Sequence, residues 1–246
     1  MADRNITPLE AIGVVAGAGL EAIGVIAGAG LLYSWLNSSD RKTEVVDDYQ
    51  KTVRAVKIIR KHCRENPVLG FDCEWVQESK VALLQLCTHK GYCALIRLCS
   101  LQTIASSLYD LLADRDVVKV GVGVKKDAQL LQNNGLQTVS TLDLRFVAVL
   151  TGLAKPQKLS SMYEEVLGKS LNKKNNLAWS NWEADTLKSD EIEYAANDAI
   201  AGIEVYMKLA KSVPNVKKFE KYFDMHFDPY HHNGLKPEAT NECNLQ

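Results

Sequence analysis

Asp72 and Glu74 stand two residues apart in Phe71-Asp-Cys-Glu-Trp75. Side chains alternate between faces along an extended strand, so both carboxylates leave one face, about 7 Å apart, while Phe71, Cys73 and Trp75 leave the other. The surroundings are apolar, where uncompensated acids are strongly unfavourable, so the pair needs a metal, a proton or a cationic partner. A salt-bridged pair at a strand end is the bland alternative. Further along, Tyr194 and Asp198 are four residues apart in Glu193-Tyr-Ala-Ala-Asn-Asp198, a spacing that puts both on one face of a helix. Asp127 follows a glycine-bounded apolar run; alone it reads as an ordinary acid in a helix's first turn. Four carboxylates can hold two hard divalent cations through oxygen, and a metal pair about 4 Å apart activates water and stabilises a leaving oxygen in phosphodiester hydrolysis.

The elements that must position these groups alternate in period. Three-to-four spacing over 44–65 predicts an amphipathic helix ending at Asn66-Pro67. Strands are predicted at 68–75, 81–87 and 92–98, the last two joined by a short turn that invites a hairpin. A helix over 101–113, a buried strand over 117–123 and a helix over 125–134 follow, then a short strand at 140–142 and helices at 143–151, 159–167 and 190–210. Ser189 is the expected N-cap of the last, with Asp190 and Glu191 in its first turn. Ala195, Ala196, Ala199 and Ala201 let that helix press close to a sheet. Strands first and mixed α/β after them fit a three-layer α/β domain. No P-loop is present, and Gly121-x-Gly123 lacks the third glycine of a dinucleotide fingerprint.

Asp72-x-Glu74, Asp127 and Tyr194-x3-Asp198 together resemble, in order, spacing and placement, the three motifs of the DEDDy 3'-5' exonucleases. Phe71-Asp-Cys-Glu-Trp75, Val118-Lys-Val-Gly-Val-Gly123, Leu142-Asp-Leu-Arg145, Leu159-Ser-Ser161 and Ser180-Asn-Trp182 are similar to the Werner-exonuclease branch, without a helicase after them. The resemblance covers about residues 68–210 and implies a ribonuclease H-like α/β/α exonuclease domain. It implies two divalent cations, Mg2+ or Mn2+, with Asp72 bridging both, Glu74 and Asp198 completing the first and Asp127 supporting the second through water. Tyr194 would orient the attacking water. The substrate would be single-stranded or 3'-ended DNA or RNA, with the sugar left open. The opposing reading is a catalytically silent, membrane-tethered nucleic-acid binder or scaffold of the same fold.

Composition bounds these readings. A chain of 246 residues with 46% hydrophobic and 24% charged residues is neither disordered nor fibrous, and a net charge of -1 excludes a protein that coats nucleic acid through overall positive charge. Within 144–181, however, Arg145, Lys155, Lys158, Lys169, Lys173 and Lys174 face only Glu164 and Glu165, a local +4. Arg145, Lys155, Lys158, Lys173 and Lys174 are candidate phosphate contacts, or simply solvated helix faces. Trp179 and Trp182 either stack a terminal base or cap the core, with core favoured for at least one. The six cysteines form no Cys-x-x-Cys pair and read as reduced core residues.

Residues 9–19 and 20–30 are a tandem repeat, LEAIGVVAGAG and LEAIGVIAGAG, and between Leu9 and Leu36 only Glu10 and Glu21 are charged. The span exceeds the roughly 20 residues that cross a bilayer, so a membrane anchor, a hydrophobic helix, is the leading expectation. An eleven-residue period returns Gly13-x3-Gly17 and Gly24-x3-Gly28 to one helix face, which suits close packing of two copies into a homodimer. Glu21 near mid-span argues against burial, and a glycine-rich flexible leader is the alternative. Tyr33 and Trp35, then Arg41 and Lys42, suit an interface belt and a cytosolic flank. The expected organisation is an anchor over 1–38, an exonuclease domain over 44–212 facing the cytosol and a weakly ordered tail over 213–246. The mitochondrial outer membrane is the expected membrane, and the nucleus the expected site of a soluble form.

Overall fold

Near-continuous apolar runs, interrupted where the chain must turn, build the centre of the sheet. In the computed structural model, which describes residues 41–77, 80–153, 158–171, 177–212 and 215–228, β2 (Val68–Val76), β3 (Lys80–Thr88) and β4 (Tyr92–Arg97) form an antiparallel meander. Gly91, at φ +77°, closes the β3–β4 turn in a conformation that costs a residue with a Cβ more than it costs glycine. Short parallel strands β5 (Val118–Gly121) and β6 (Thr141–Asp143) extend the sheet beyond β2. The expected anchor and homodimer segment (9–36), Lys155, Lys173, Lys174 and the tail beyond residue 228 lie outside the described residues.

The helix expected from residue 44 begins later. Residues 42–46 instead form β1 (Lys42–Val46), parallel to β4 at the sheet edge, and the helix α1 (Tyr49–Cys63) starts only after Asp48, whose carboxylate accepts the Lys51 backbone N–H at 2.7 Å. A cap that satisfies an orphan donor at that point fixes the boundary. The six strands run in the order β1-β4-β3-β2-β5-β6.

On one sheet face, α1, α2 (Ser106–Leu112) and α3 (Val124–Gln132) enclose a core of Val56, Ile59, Phe71, Leu84, Leu108 and Leu131. Across the sheet lie α4 (Leu144–Leu150), α5 (Leu159–Leu167) and the long α6 (Ser189–Leu209), giving a mixed α/β/α arrangement. The N-cap of α6 is Lys188 rather than the expected Ser189; its backbone N–H donates to the Glu191 carboxylate at 2.8 Å. Close helix–sheet approach depends on small residues: Ala195, Ala199 and Ala201 are fully buried, and Gly202 sits over the backbone of β5.

Part of the expected weakly ordered tail is packed. A 3-10 turn (Val216–Tyr222) buries Phe219 and Tyr222, and the Tyr222 and Phe227 rings each lie 5.0 Å from Phe146. Asp224 then accepts the backbone N–H groups of Ser140 and Thr141 at 3.1 and 2.9 Å, tying this stretch to the β6 edge. Its Pro, His and Asn content hid three aromatic anchors. Among the described residues no helix is long and apolar enough to cross a membrane.

Candidate active site

Strand alternation sends Gly70, Asp72 and Glu74 of β2 toward the face that α6 covers. A Cβ built on Gly70 would lie 1.9 Å from the Ala199 carbonyl oxygen, so glycine is what lets α6 sit directly on this strand. One helical turn from Ala195, and next to Ala199, Asp198 is thereby brought down to the acids of β2. Carboxylate oxygens of Asp72, Glu74 and Asp198 all lie within 4.8 Å of one another. Such a set of hard oxygen donors, with no sulfur or imidazole among them, fits Mg2+ or Mn2+ better than softer metals.

Asp127 is outside that trio but electrostatically beside it. It occupies the first turn of α3, entered through Gly123 at φ +82°, and is 4% exposed. Burial, reinforced by the neighbouring Asp72 charge, pushes its carboxyl well above the usual carboxylate range. A buried acid in that condition is suited to a cationic neighbour.

Tyr194 lies one turn before Asp198 on the same face of α6 and hydrogen-bonds to it. Burial first, then the charges of Asp198, Glu74 and Asp72, raise the phenol above its ordinary range, so the hydroxyl stays protonated. Its ring is supported by Trp182, 6.2 Å away between centroids and fully buried. Arg97, at the end of β4, holds the loop after Trp182: Nη1 donates to the Asp185 carbonyl at 2.6 Å and Nη2 to that of Ala184. Arg97 was not singled out from sequence; its signal was an isolated arginine in the apolar run of 92–98. Gln85, fully buried on β3 opposite Asp72, was also missed, because it carries no pattern until the strand register is known.

The candidate nucleic-acid contacts separate. Trp179 is 90% exposed, whereas Trp182 is buried, so the two tryptophans divide between surface and core. Lys158 is exposed at the N-cap of α5. Arg145 is ion-paired within the fold. Its Nε and Nη2 donate to Asp143 at 2.8 and 2.6 Å, and the guanidinium stacks 4.8 Å over Phe227. Asp143 also accepts the Gly123 N–H at 2.9 Å, so Arg145 braces the loop that leads to Asp127. The guanidinium is thus engaged in holding Asp143 and in packing on Phe227.

The chain belongs to the 3'-5' exonuclease family, whose description matches residues 43–214, and it carries a 3'-5' exonuclease domain. It is similar to exonuclease 3'-5' domain-containing protein 2 of Drosophila melanogaster, 42% identical over 180 residues that cover 70% of this chain and 31% of that protein. The Homo sapiens protein of the same name is 40% identical over 164 residues, 62% of this chain and 26% of its own length. The bifunctional 3'-5' exonuclease/ATP-dependent helicase WRN of Mus musculus is 34% identical over 153 residues, 59% of this chain and 11% of that protein. The chain thus matches less than a third of the length of each of these relatives. Among solved structures, the EXD2 exonuclease domain soaked in Mn is 36% identical, with 73% of this chain and 95% of that chain covered and a TM-score of 0.43.

Proposed function

We propose that the chain hydrolyses phosphodiester bonds one nucleotide at a time from the 3' ends of DNA or RNA. The observation that carries this reading is the convergence of Asp72, Glu74 and Asp198 within 4.8 Å beneath Tyr194. The donor set suits two divalent cations, Mg2+ or Mn2+, which when bound supply Lewis acidity at the scissile phosphate. Asp72, Glu74 and Asp198 would hold them, and Asp127 would support them through water. The chain's own part in the reaction is positioning. The protonated Tyr194 hydroxyl holds the attacking water, and the Trp182 ring with the Arg97-braced loop behind it keeps the phenol in place.

Trp179 offers an exposed ring on which an unpaired base can stack, and Lys158 a cation for the backbone, which favours single-stranded or frayed 3' ends. The hydrophobic repeat at 9–36 supports a membrane anchor that leaves the enzyme facing the cytosol, with the mitochondrial outer membrane as its proposed location and the nucleus that of a soluble form. The Gly-x3-Gly faces support pairing of two anchors. We infer the organisation already drawn from sequence, an anchor over 1–38 and an exonuclease domain over 44–212, with the domain's packing extended to residue 228.

The test is a nuclease assay on matched DNA and RNA strands, labelled at the 5' end, with Mg2+ or Mn2+. Progressive shortening from the 3' end supports the reading, and the rates on the two strands decide the sugar preference. Intact strands under both metals would refute it.

A further inference from the structure

Gln85 lies in the middle of β3, directly opposite Asp72 in the antiparallel register of β2 and β3. Opposed residues of such a pair leave the same face of the sheet with Cβ atoms about 5 Å apart. That face is the one covered by α6, as the Gly70–Ala199 approach two residues before Asp72 shows. Gln85 is 0% exposed, and among the described residues neither its Nε2 nor its Oε1 has a hydrogen-bond partner. Its neighbours along the strand are Val81-Ala-Leu-Leu84 and Leu86-Cys87, all buried and apolar. A leucine or methionine would therefore serve the core better, because a buried amide without partners lowers stability.

Resting on the reading of Asp72 as a cation ligand, we propose that Gln85 is a positioning residue for Asp72. Its amide N–H hydrogen-bonds to the Asp72 carboxylate, directly or through one water, when divalent cations occupy the site. The residue type fits the task. An amide donates to a carboxylate without adding a further negative charge to a site that already gathers Asp72, Glu74 and Asp198. Ligands held by such outer hydrogen bonds keep the oxygen lone pairs aimed at the metal, and losing one typically weakens metal affinity about 10–100-fold.

The test compares the full chain with Gln85→Met, which keeps the side-chain length and removes the amide, and with Gln85→Leu. Two quantities are read: Mn2+ affinity by calorimetry with the metal alone, and the metal-free unfolding midpoint. The proposal expects Mn2+ binding to weaken about tenfold or more in both variants while metal-free stability is unchanged or raised. Wild-type Mn2+ affinity in either variant overturns it, and so does a lower metal-free midpoint, which would mean that the amide already has its partner without the metal. Asp72→Ala separates the two levels. If that variant binds Mn2+ like the wild type, the cation site itself is misassigned; if it loses the metal and Gln85→Met does not, only the role of Gln85 falls.

Discussion

Gly70 of β2 and Ala199 of α6 approach so closely that a single added methyl on the glycine would sit 1.9 Å from the alanine's carbonyl oxygen. Both residues adjoin the acids of the site, Gly70 two positions before Asp72 and Ala199 one after Asp198. The contact sets how far the helix carboxylate stands from the strand carboxylates.

Gly70→Ala therefore has to push α6 off the sheet, because the clash is with backbone and not with a side chain that can turn away. The expected result is a loss of about 1–3 kcal/mol or more in urea unfolding, as for other overpacked cores. It should be accompanied by loss of Mn2+ binding in calorimetry. A variant that is destabilised yet binds Mn2+ normally would show that the helix position does not govern the site.

Tyr194→Phe removes one hydroxyl and keeps the ring against Trp182. If the hydroxyl positions water, turnover falls about 10- to 100-fold while Mn2+ and nucleic-acid affinities hold. Steady-state rates beside binding measurements decide this, and equal losses in affinity and turnover would make Tyr194 a binding residue.

The hydrophobic leader and the enzyme should be separable, but only up to a point. Arg41 donates to Glu204 of α6, which is 0% exposed and also accepts the Tyr163 hydroxyl at 2.6 Å. A chain beginning at Ser39 keeps this pair and should be active at the wild-type rate. One beginning at Lys42 leaves Glu204 without its cation and should lose about 1–3 kcal/mol, the partial exposure of Arg41 moderating the loss. Thermal unfolding of the two truncations compares them, and equal midpoints would remove Arg41 from the account.

What could be read in advance follows from how local each signal is. Asp72, Glu74, Tyr194 and Asp198 declared themselves because strand and helix periods place such pairs on one face within a few residues. β1 did not, since its five residues acquire strand character only by pairing with β4, 50 positions away in the chain. Arg145 looked like a free base until Asp143 and Phe227 came into view on either side of it. Gln85 was invisible for the same reason, because the partner strand supplies its meaning.

Lys119 makes stability depend on alkaline pH. It is fully buried, donates from Nζ to the carbonyls of Asp114 and Val139 at 3.0 Å each, and burial lowers its pKa to about 7. An unfolded lysine titrates near 10.4, so between about pH 7 and that value the unfolded chain holds the extra proton and stability rises with pH, by at most about 1.4 kcal/mol per unit. Below about pH 7 both states are charged and the cost of burial is fully present. Lys119→Met should lack this rise, as urea titrations of both proteins at about pH 7 and about pH 9 would show. Parallel pH dependence in the two would contradict it.

The central claim, that the carboxylates gathered between β2 and α6 perform the hydrolysis, is tested most directly by the rate of shortening of a 5'-labelled strand by Asp198→Ala, measured in Mn2+ beside the wild type. Loss of a metal-holding carboxylate should remove several kcal/mol of transition-state stabilisation, leaving less than about 1% of the rate in a variant whose circular dichroism is unchanged. A folded Asp198→Ala protein that still shortens the strand from its 3' end at more than a few per cent of the wild-type rate would contradict the account.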